Sequence, residues 1–130
     1  MHQLKLRYLT PEDQPQFLEW VNSTPNNLFD ESILKYPTLR VICSYNDNPV
    51  AYLPTQQAIV LESLAVKPGA SPMETGQAFR DLVKAAELLA SSFGIKEIYF
   101  ICKDPDVVKV AEHHGFEVLP KEWQVVRMKL

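Results

Sequence analysis

The chain has 130 residues, of which 46% are hydrophobic, 22% charged and 10% aromatic, the mix of an ordinary soluble globular protein about one domain long. Thirteen Lys and Arg against sixteen Asp and Glu leave a net charge of -3, which argues against a dedicated nucleic-acid binder with its usual basic excess. No apolar run approaches the ~20 residues that a membrane span needs, and the opening alternation from Met1 to Arg7 is neither a signal nor a transit peptide.

A chain of this length buries roughly two-thirds of its surface on folding, so it needs neither disulfides nor a structural metal. Cys43 and Cys102 both sit in apolar, strand-like runs. Two buried-looking thiols without an export signal point to a reduced, cytoplasmic protein. There is no repeat, low-complexity stretch or linker, and residues 1–130 read as one domain.

The elements follow in chain order. Leu4, Leu6 and Tyr8 alternate with Gln3, Lys5 and Arg7, the period of a half-buried strand. Thr10-Pro11-Glu12-Asp13 then offers an N-cap, Pro at the first helical position and acids in the first turn. That helix should run to about Asn22 and bury Phe17, Leu18, Trp20 and Val21, with Pro15 kinking or delaying it. Residues 22–27 read as loop, and residues 28–36 as a short helix stopped by Pro37.

Three strands of an antiparallel meander come next, over residues 39–45, 50–53 and 58–66, with turn chemistry between them. The third is nearly continuous in apolar residues, and its only charge is Glu62. After Lys67-Pro68-Gly69-Ala70 the strongest helix begins. Phe79, Leu82, Val83, Ala86, Leu89, Ala90 and Phe93 share one face of a 3.6-residue period, and Gly94 closes it. A strand over residues 95–102 leads to a helix opened by Asp104-Pro105 and stopped by His113-His114-Gly115. Residues 116–119 and 123–130 read as a closing hairpin around Pro120-Lys121-Glu122. The order is β-α-α-β-β-β-α-β-α-β-β, an α/β protein with a mixed central sheet and helices on both faces.

Several chemistries find no support. Gly-x-Ser-x-Gly, Walker-type and Gly-x-Gly-x-x-Gly motifs are absent from the sequence. His113, His114 and Cys102 invite a metal reading, but adjacent histidines at a helix end do not readily converge on one ion, and no metal site is expected.

Four passages carry a family likeness: residues 4–13, Leu61-Glu62-Ser63-Leu64-Ala65-Val66-Lys67-Pro68, the long helix leading into Gly94-Ile95-Lys96-Glu97-Ile98-Tyr99-Phe100, and Ala111-Glu112-His113-His114-Gly115-Phe116-Glu117. Val126-Arg127-Met128-Lys129-Leu130 fits the closing strand. In this order, and over essentially the whole chain, they resemble the GNAT superfamily, the acyl-CoA-dependent N-acetyltransferase fold. The resemblance implies direct transfer of an acyl group from acetyl-CoA to a small-molecule amine or a protein amino group. From the charge balance and the lack of an apolar span, no nucleic-acid or membrane partner is expected, and a homodimer stays open. Such a reaction needs a deprotonated amine, donors for the tetrahedral oxyanion and a proton for the departing thiolate.

In the family the cofactor lies between two splayed central strands and is held largely by backbone N–H groups, here those of Leu64, Ala65 and Val66. The family's pyrophosphate loop, Arg/Gln-x-x-Gly-x-Gly/Ala, corresponds to the stretch from Gly69 to Ala78, and Met73, Thr75, Gly76, Gln77 and Ala78 would make that contact. Two registers fit. In one, Gly76 takes the last small position and Glu74 replaces the first Gly. In the other, a two-residue insertion puts Gly76 and Ala78 in the small positions. Ser71-Pro72-Met73-Glu74 also reads as a capping box, which would satisfy the helix N-terminus from within. A carboxylate there repels a pyrophosphate by roughly 3–4 kcal/mol at ~4–6 Å before screening.

Many relatives place a Tyr four residues before the Gly of the Gly-Phe motif as general acid, and this chain has Ala111 there. Tyr99 is the stand-in, with a buried sheet tyrosine as the structural alternative. Glu62 is the candidate general base, since an acid in an apolar strand is costly without a role or partner. Its alternatives are a solvent-facing position or an ion pair. Lys67 and Arg80 could add charge for phosphates. On the acceptor side, Asn26, Asn27, Asp30 and Glu31 make residues 22–36 polar and acidic, which suits a cationic amine. Two other readings stand beside the enzyme: a GNAT-fold binding or regulatory module without catalysis, and an unrelated α+β domain. The last would lack a splay between the central strands.

Overall fold

A computed structural model describes residues 4–25 and 28–130. Asn26 and Asn27 lie outside the described residues. The first strand, β1 (Lys5–Tyr8), leads through a 3₁₀ turn (Pro11–Asp13) into α1 (Gln14–Ser23). Pro15 does delay the helix: it sits in the first turn of α1, where its missing N–H is one of the unpaired donors anyway. Phe17 is buried, and it meets Phe29 and Tyr52 edge-on at 5.3 and 5.6 Å. The short helix expected over residues 28–36 is a 3₁₀ turn (Glu31–Lys35), capped by Asp30, whose carboxylate accepts from Ser32 N at 2.9 Å.

β2 (Arg40–Asn46) and β3 (Asn48–Thr55) form a hairpin whose tip, Asp47, has φ 60°. β1 pairs with β2, so the first sheet is antiparallel in the order β1-β2-β3. Its buried residues include Val41 and Cys43 of β2. The expected orientation of β1 is corrected: Leu6 and Tyr8 are 71% and 66% exposed, and the half-buried side chain is Arg7. Periodicity locates the two faces of a strand but not which one is covered. Here the charged face carries Arg7 against Asp13, which ties it to the 3₁₀ turn.

The third meander strand is also corrected. β4 (Ile59–Leu61) is three residues long and does not belong to the first sheet; it pairs in parallel with β5 (Ile98–Phe100). The expected single mixed sheet is thus two sheets, and the protein is a mixed α/β structure. Between β4 and β5 runs α2 (Pro72–Ser92), entered through a turn in which Ala70 N donates to Lys67 O, with Pro68 and positive-φ Gly69 at its centre. The buried stripe of α2 is narrower than its sequence face. Phe79, Val83, Ala86 and Ala90 are buried, while Leu82, Leu89 and Phe93 are more than half exposed.

After β5, Asp104 caps α3 (Pro105–His113) by accepting from Asp106 N at 2.9 Å. The second core gathers Phe79, Val83 and Ala111 with Leu64, Phe100, Val110 and Phe116. Phe79 stacks on Phe100 at 5.7 Å and meets His114 edge-on at 5.3 Å.

The closing hairpin is not formed: residues 116–130 carry no strand. Trp123 N donates to Pro120 O, closing a turn that contains no positive-φ residue. Without one the turn is not of the primed type that best matches the twist of two paired strands. Val125, Val126 and Met128 are each more than four-fifths exposed.

Candidate functional site

β4 and β5 run in the same direction and separate at their carboxyl ends. Each leads to its own helix, β4 through the Lys67–Ala70 turn to α2 and β5 through Asp104 to α3. The last bond between them is Ile101 N to Leu61 O at 3.2 Å. The parallel alternation would next give Ser63 N–H to the Ile101 carbonyl, and that rung is not made. Among the described residues, the backbone N–H groups of Ser63, Leu64, Ala65 and Val66 have no acceptor. The ladder between β4 and β5 thus ends at Leu61 and Ile101.

A cavity of about 340 Å³ opens at the divergence, with Glu62, Ser63, Leu64 and Ala65 on one side and Phe79, Leu82 and Val83 of α2 on the other. The carboxyl end of parallel strands is where α/β folds commonly place ligands. Glu62 is exposed rather than buried, which corrects the cost assigned to it from the apolar run. It lies one residue beyond β4, on the cavity wall, and among the described residues it has no ion-pair partner.

The start of α2 is closed by its own residues. Ser71 Oγ accepts from Glu74 N at 3.1 Å, and Glu74 Oε1 accepts from Ser71 N at 3.1 Å. Lys67 Nζ reaches Glu74 Oε2 at 3.5 Å. These bonds, the Ser71 N–H first, hold the Glu74 carboxyl below its ordinary value. Met73, Gln77 and Ala78 are exposed on the first turns of α2, and Thr75 and Gly76 are half-buried; none of the five lines the 340 Å³ cavity. Val66 does not line it either. Arg80 lies 3.7 Å from Asp81.

Tyr99 is placed elsewhere. It lines a second, larger cleft of about 950 Å³, bounded by α1, the Asp30 segment, the end of β3, β5, α3 and residues 116–123. Its hydroxyl donates to Glu97 Oε1 at 2.5 Å. That bond, then burial, pushes its pKa up to about 12. The Glu97 carboxylate raises the Tyr36 phenol as well. Glu62 and Tyr99 therefore line separate spaces, divided by Phe100, which borders both.

The sequence reading missed Glu97, Tyr36 and the unpaired Ser63 N–H. A signal for the first existed in Glu97-x-Tyr99, since alternate residues of a strand share a face. His114 is half-buried, its Nδ1 2.8 Å from Val110 O. Among the described residues no group of His, Cys, Asp and Glu has the arrangement of a metal site, and no helix is long and apolar enough to cross a membrane.

No family model matches the chain, and no curated protein matches it. Among solved structures it is similar to a transcriptional regulator from Bacillus halodurans C-125, at 16% identity and TM-score 0.42, over 98% of this chain and 100% of that one. It is similar to a ribosomal-protein-alanine N-acetyltransferase from Brucella melitensis biovar Abortus 2308, at 11% identity and TM-score 0.37, over 98% and 100%. An aminoglycoside antibiotic 6'-N-acetyltransferase from Acinetobacter haemolyticus matches at 16% identity and TM-score 0.32, over 96% and 99%. At TM-scores below 0.5 these overlays are coarse and fix no residue's role.

Proposed function

We propose that the protein transfers an acyl group from acetyl-CoA to an amine, using the space where β4 and β5 part. The observation that carries this reading is the run of unpaired N–H groups at residues 63–66, beside a cavity walled by α2. Leu64 is half-buried while Ser63, Ala65 and Val66 are exposed, so these donors are open to a partner from outside, and an extended amide-bearing ligand laid along the strand would take them up. The acyl donor brings an activated thioester. Leu64, Ala65 and Val66 would hold it through their N–H groups. Glu62, on the wall of the same cavity, would take the proton from the acceptor ammonium, directly or through water. Tyr99, the expected proton donor, gives its hydrogen to Glu97 and lines the other space, across Phe100 from Glu62, so the thiolate would take its proton from water in this reading.

A non-catalytic binding module is the second reading, and the closed start of α2 favours it. The capping box already uses the donors that a pyrophosphate would take, and Glu74 adds a negative charge. Thermal unfolding with and without millimolar acetyl-CoA or CoA separates the readings. A ligand at ~100 times its Kd adds about 2.7 kcal/mol, a rise of several degrees in Tm. The enzyme reading expects that rise together with acyl transfer to an amine, and Glu62→Gln should cut transfer by about 10²–10⁴-fold while keeping the Tm rise. A rise without transfer supports the binding module. No rise with either ligand removes acetyl-CoA from both readings.

A further inference from the structure

The 950 Å³ cleft runs along the open edge of β5. Ile59 N donates to Glu97 O and Ile101 N to Leu61 O, so residues 97, 99 and 101 turn their backbone groups toward β4. Ile98 and Phe100 therefore aim theirs the other way, where β5 has no partner among the described strands. Successive side chains of a strand point to opposite faces, yet Ile98, Tyr99 and Phe100 all line the cleft. A space that touches both faces of a strand lies beside its edge. The cleft is thus a slot bordered by the β5 edge and by residues 116–119, with unmet N–H and C=O groups along one wall. The same chain holds an unpaired, strand-like segment. Over residues 123–130, Val126, Met128 and Leu130 fall on one face and Val125, Arg127 and Lys129 on the other. Val125, Val126 and Met128 are more than four-fifths exposed, and Leu130 is wholly so. Trp123 lines the slot, but none of residues 124–130 does, so the segment leads away from the slot of its own chain.

We infer that residues 124–130 of a second copy of this chain lie in the slot as a strand added to the β5 edge, and that two copies exchange these segments reciprocally. Edge and segment each supply what the other lacks. The backbone groups of Ile98 and Phe100 gain a ladder partner, and the apolar side chains of the segment leave water. Charge agrees with the pairing, since the exposed Glu112 and Glu117 on the slot are opposite in sign to Arg127 and Lys129. Reciprocal exchange about a two-fold axis uses both edges and both segments and closes on itself, whereas one-way addition would continue into a filament. The larger cleft is then complete only in the pair. Neither Glu62 nor residues 63–66 take part, so the exchange stands apart from the acyl-transfer reading.

Analytical ultracentrifugation of the intact chain, from micromolar to submillimolar concentration, should show a dimer, and Tm should rise with concentration. Val126→Lys with Met128→Lys changes two side chains that are exposed in the single chain. The pair should weaken association by about 10²-fold or more and leave a Tm independent of concentration. Cys102, half-buried on the slot, reports where the segment goes, because a disulfide needs Cα atoms within about 7 Å. Val125→Cys, Val126→Cys and Met128→Cys are each oxidised with diamide and the bonded peptides mapped, with isotopically labelled and unlabelled chains mixed beforehand. At least one position should bond to Cys102 of the other copy. A bond to Cys102 of the same chain would mean that the segment folds back on itself and would overturn the exchange. So would no bond to Cys102 from any of the three positions, a monomer at every concentration, or a dimer that the two lysines leave intact.

Discussion

Asp13 is buried, and its carboxylate collects donors from three directions. The Arg7 guanidinium engages both oxygens, Thr10 gives its N–H and its hydroxyl at 2.9 Å each, and Tyr52 Oη approaches at 3.3 Å. The Arg7 bond, followed by the Thr10 N–H, holds the Asp13 carboxyl well below the usual carboxylate range. A carboxyl depressed in the folded state contributes stability that is present above its unfolded value of about 4 and is lost as pH falls toward the folded value. Asp13→Asn should therefore lower stability by about 1.5–3 kcal/mol at neutral pH, the worth of hydrogen bonds to a charged group. The gap between variant and parent should close as urea titrations are taken from pH 4 downward; a constant gap at all pH values would show that the charge is not what stabilises. The sequence made Asp13 legible as a first-turn acid, because capping is local. Its partners were not legible: Arg7 is six positions away and Tyr52 thirty-nine, and no local pattern links them.

At the scale of the element, α2 shows what local chemistry determines. The Ser71–Glu74 box, Pro72 in the first turn, the apolar period and the Gly94 stop are all local signals, and each is present in the structure. Replacing Ser71 by Ala should cost about 1 kcal/mol by orphaning the Glu74 N–H. Gly76 behaves oppositely. A Cβ at Gly76 meets nothing within 4 Å, so Gly76→Ala should gain about 0.5–1 kcal/mol from helix propensity alone. Thermal unfolding of the two variants reads both signs. Repeating it with acetyl-CoA adds a third reading: a ligand shift unchanged in Gly76→Ala places the pyrophosphate away from this turn, whereas a diminished shift gives Gly76 the contact implied by the family resemblance. β4 shows the opposite case. Residues 58–66 are almost uniformly apolar, yet the ladder stops at Leu61, because an apolar run says nothing about how far a neighbouring strand stays alongside. The tail fails for a related reason, since a hairpin needs its turn geometry as well as its alternation.

Over the whole molecule the apolar side chains fall into two clusters. One holds Phe17, Phe29, Tyr52 and Trp20, with Trp20 and Tyr52 at 5.4 Å; the other holds Phe79, Phe100 and Phe116 with His114. Element order and helix positions were readable from the sequence, but this division was not, because it depends on which sheet β4 joins. The clusters are tied together at Pro37, whose Cβ would lie 3.3 Å from a Cβ placed on Gly94, at Thr38, whose Oγ1 accepts from Gln57 N, and at Glu97, which acts on Tyr36. Such ties in a chain of this size favour one cooperative transition. Phe79→Ala should cost about 3–5 kcal/mol, a large share of the 5–15 kcal/mol typical of a domain. Trp20 reports the first cluster and Trp123 the wall of the larger cleft, so Trp123→Phe and Trp20→Phe backgrounds isolate each signal. Both signals should show one shared denaturation midpoint, moved equally by Phe79→Ala. If only the Trp123 signal moved, the halves would unfold independently. The larger cleft, whose walls come from both, would then keep its shape only while the weaker half stayed folded, and a ligand bridging the walls would raise the first transition and leave the second unmoved.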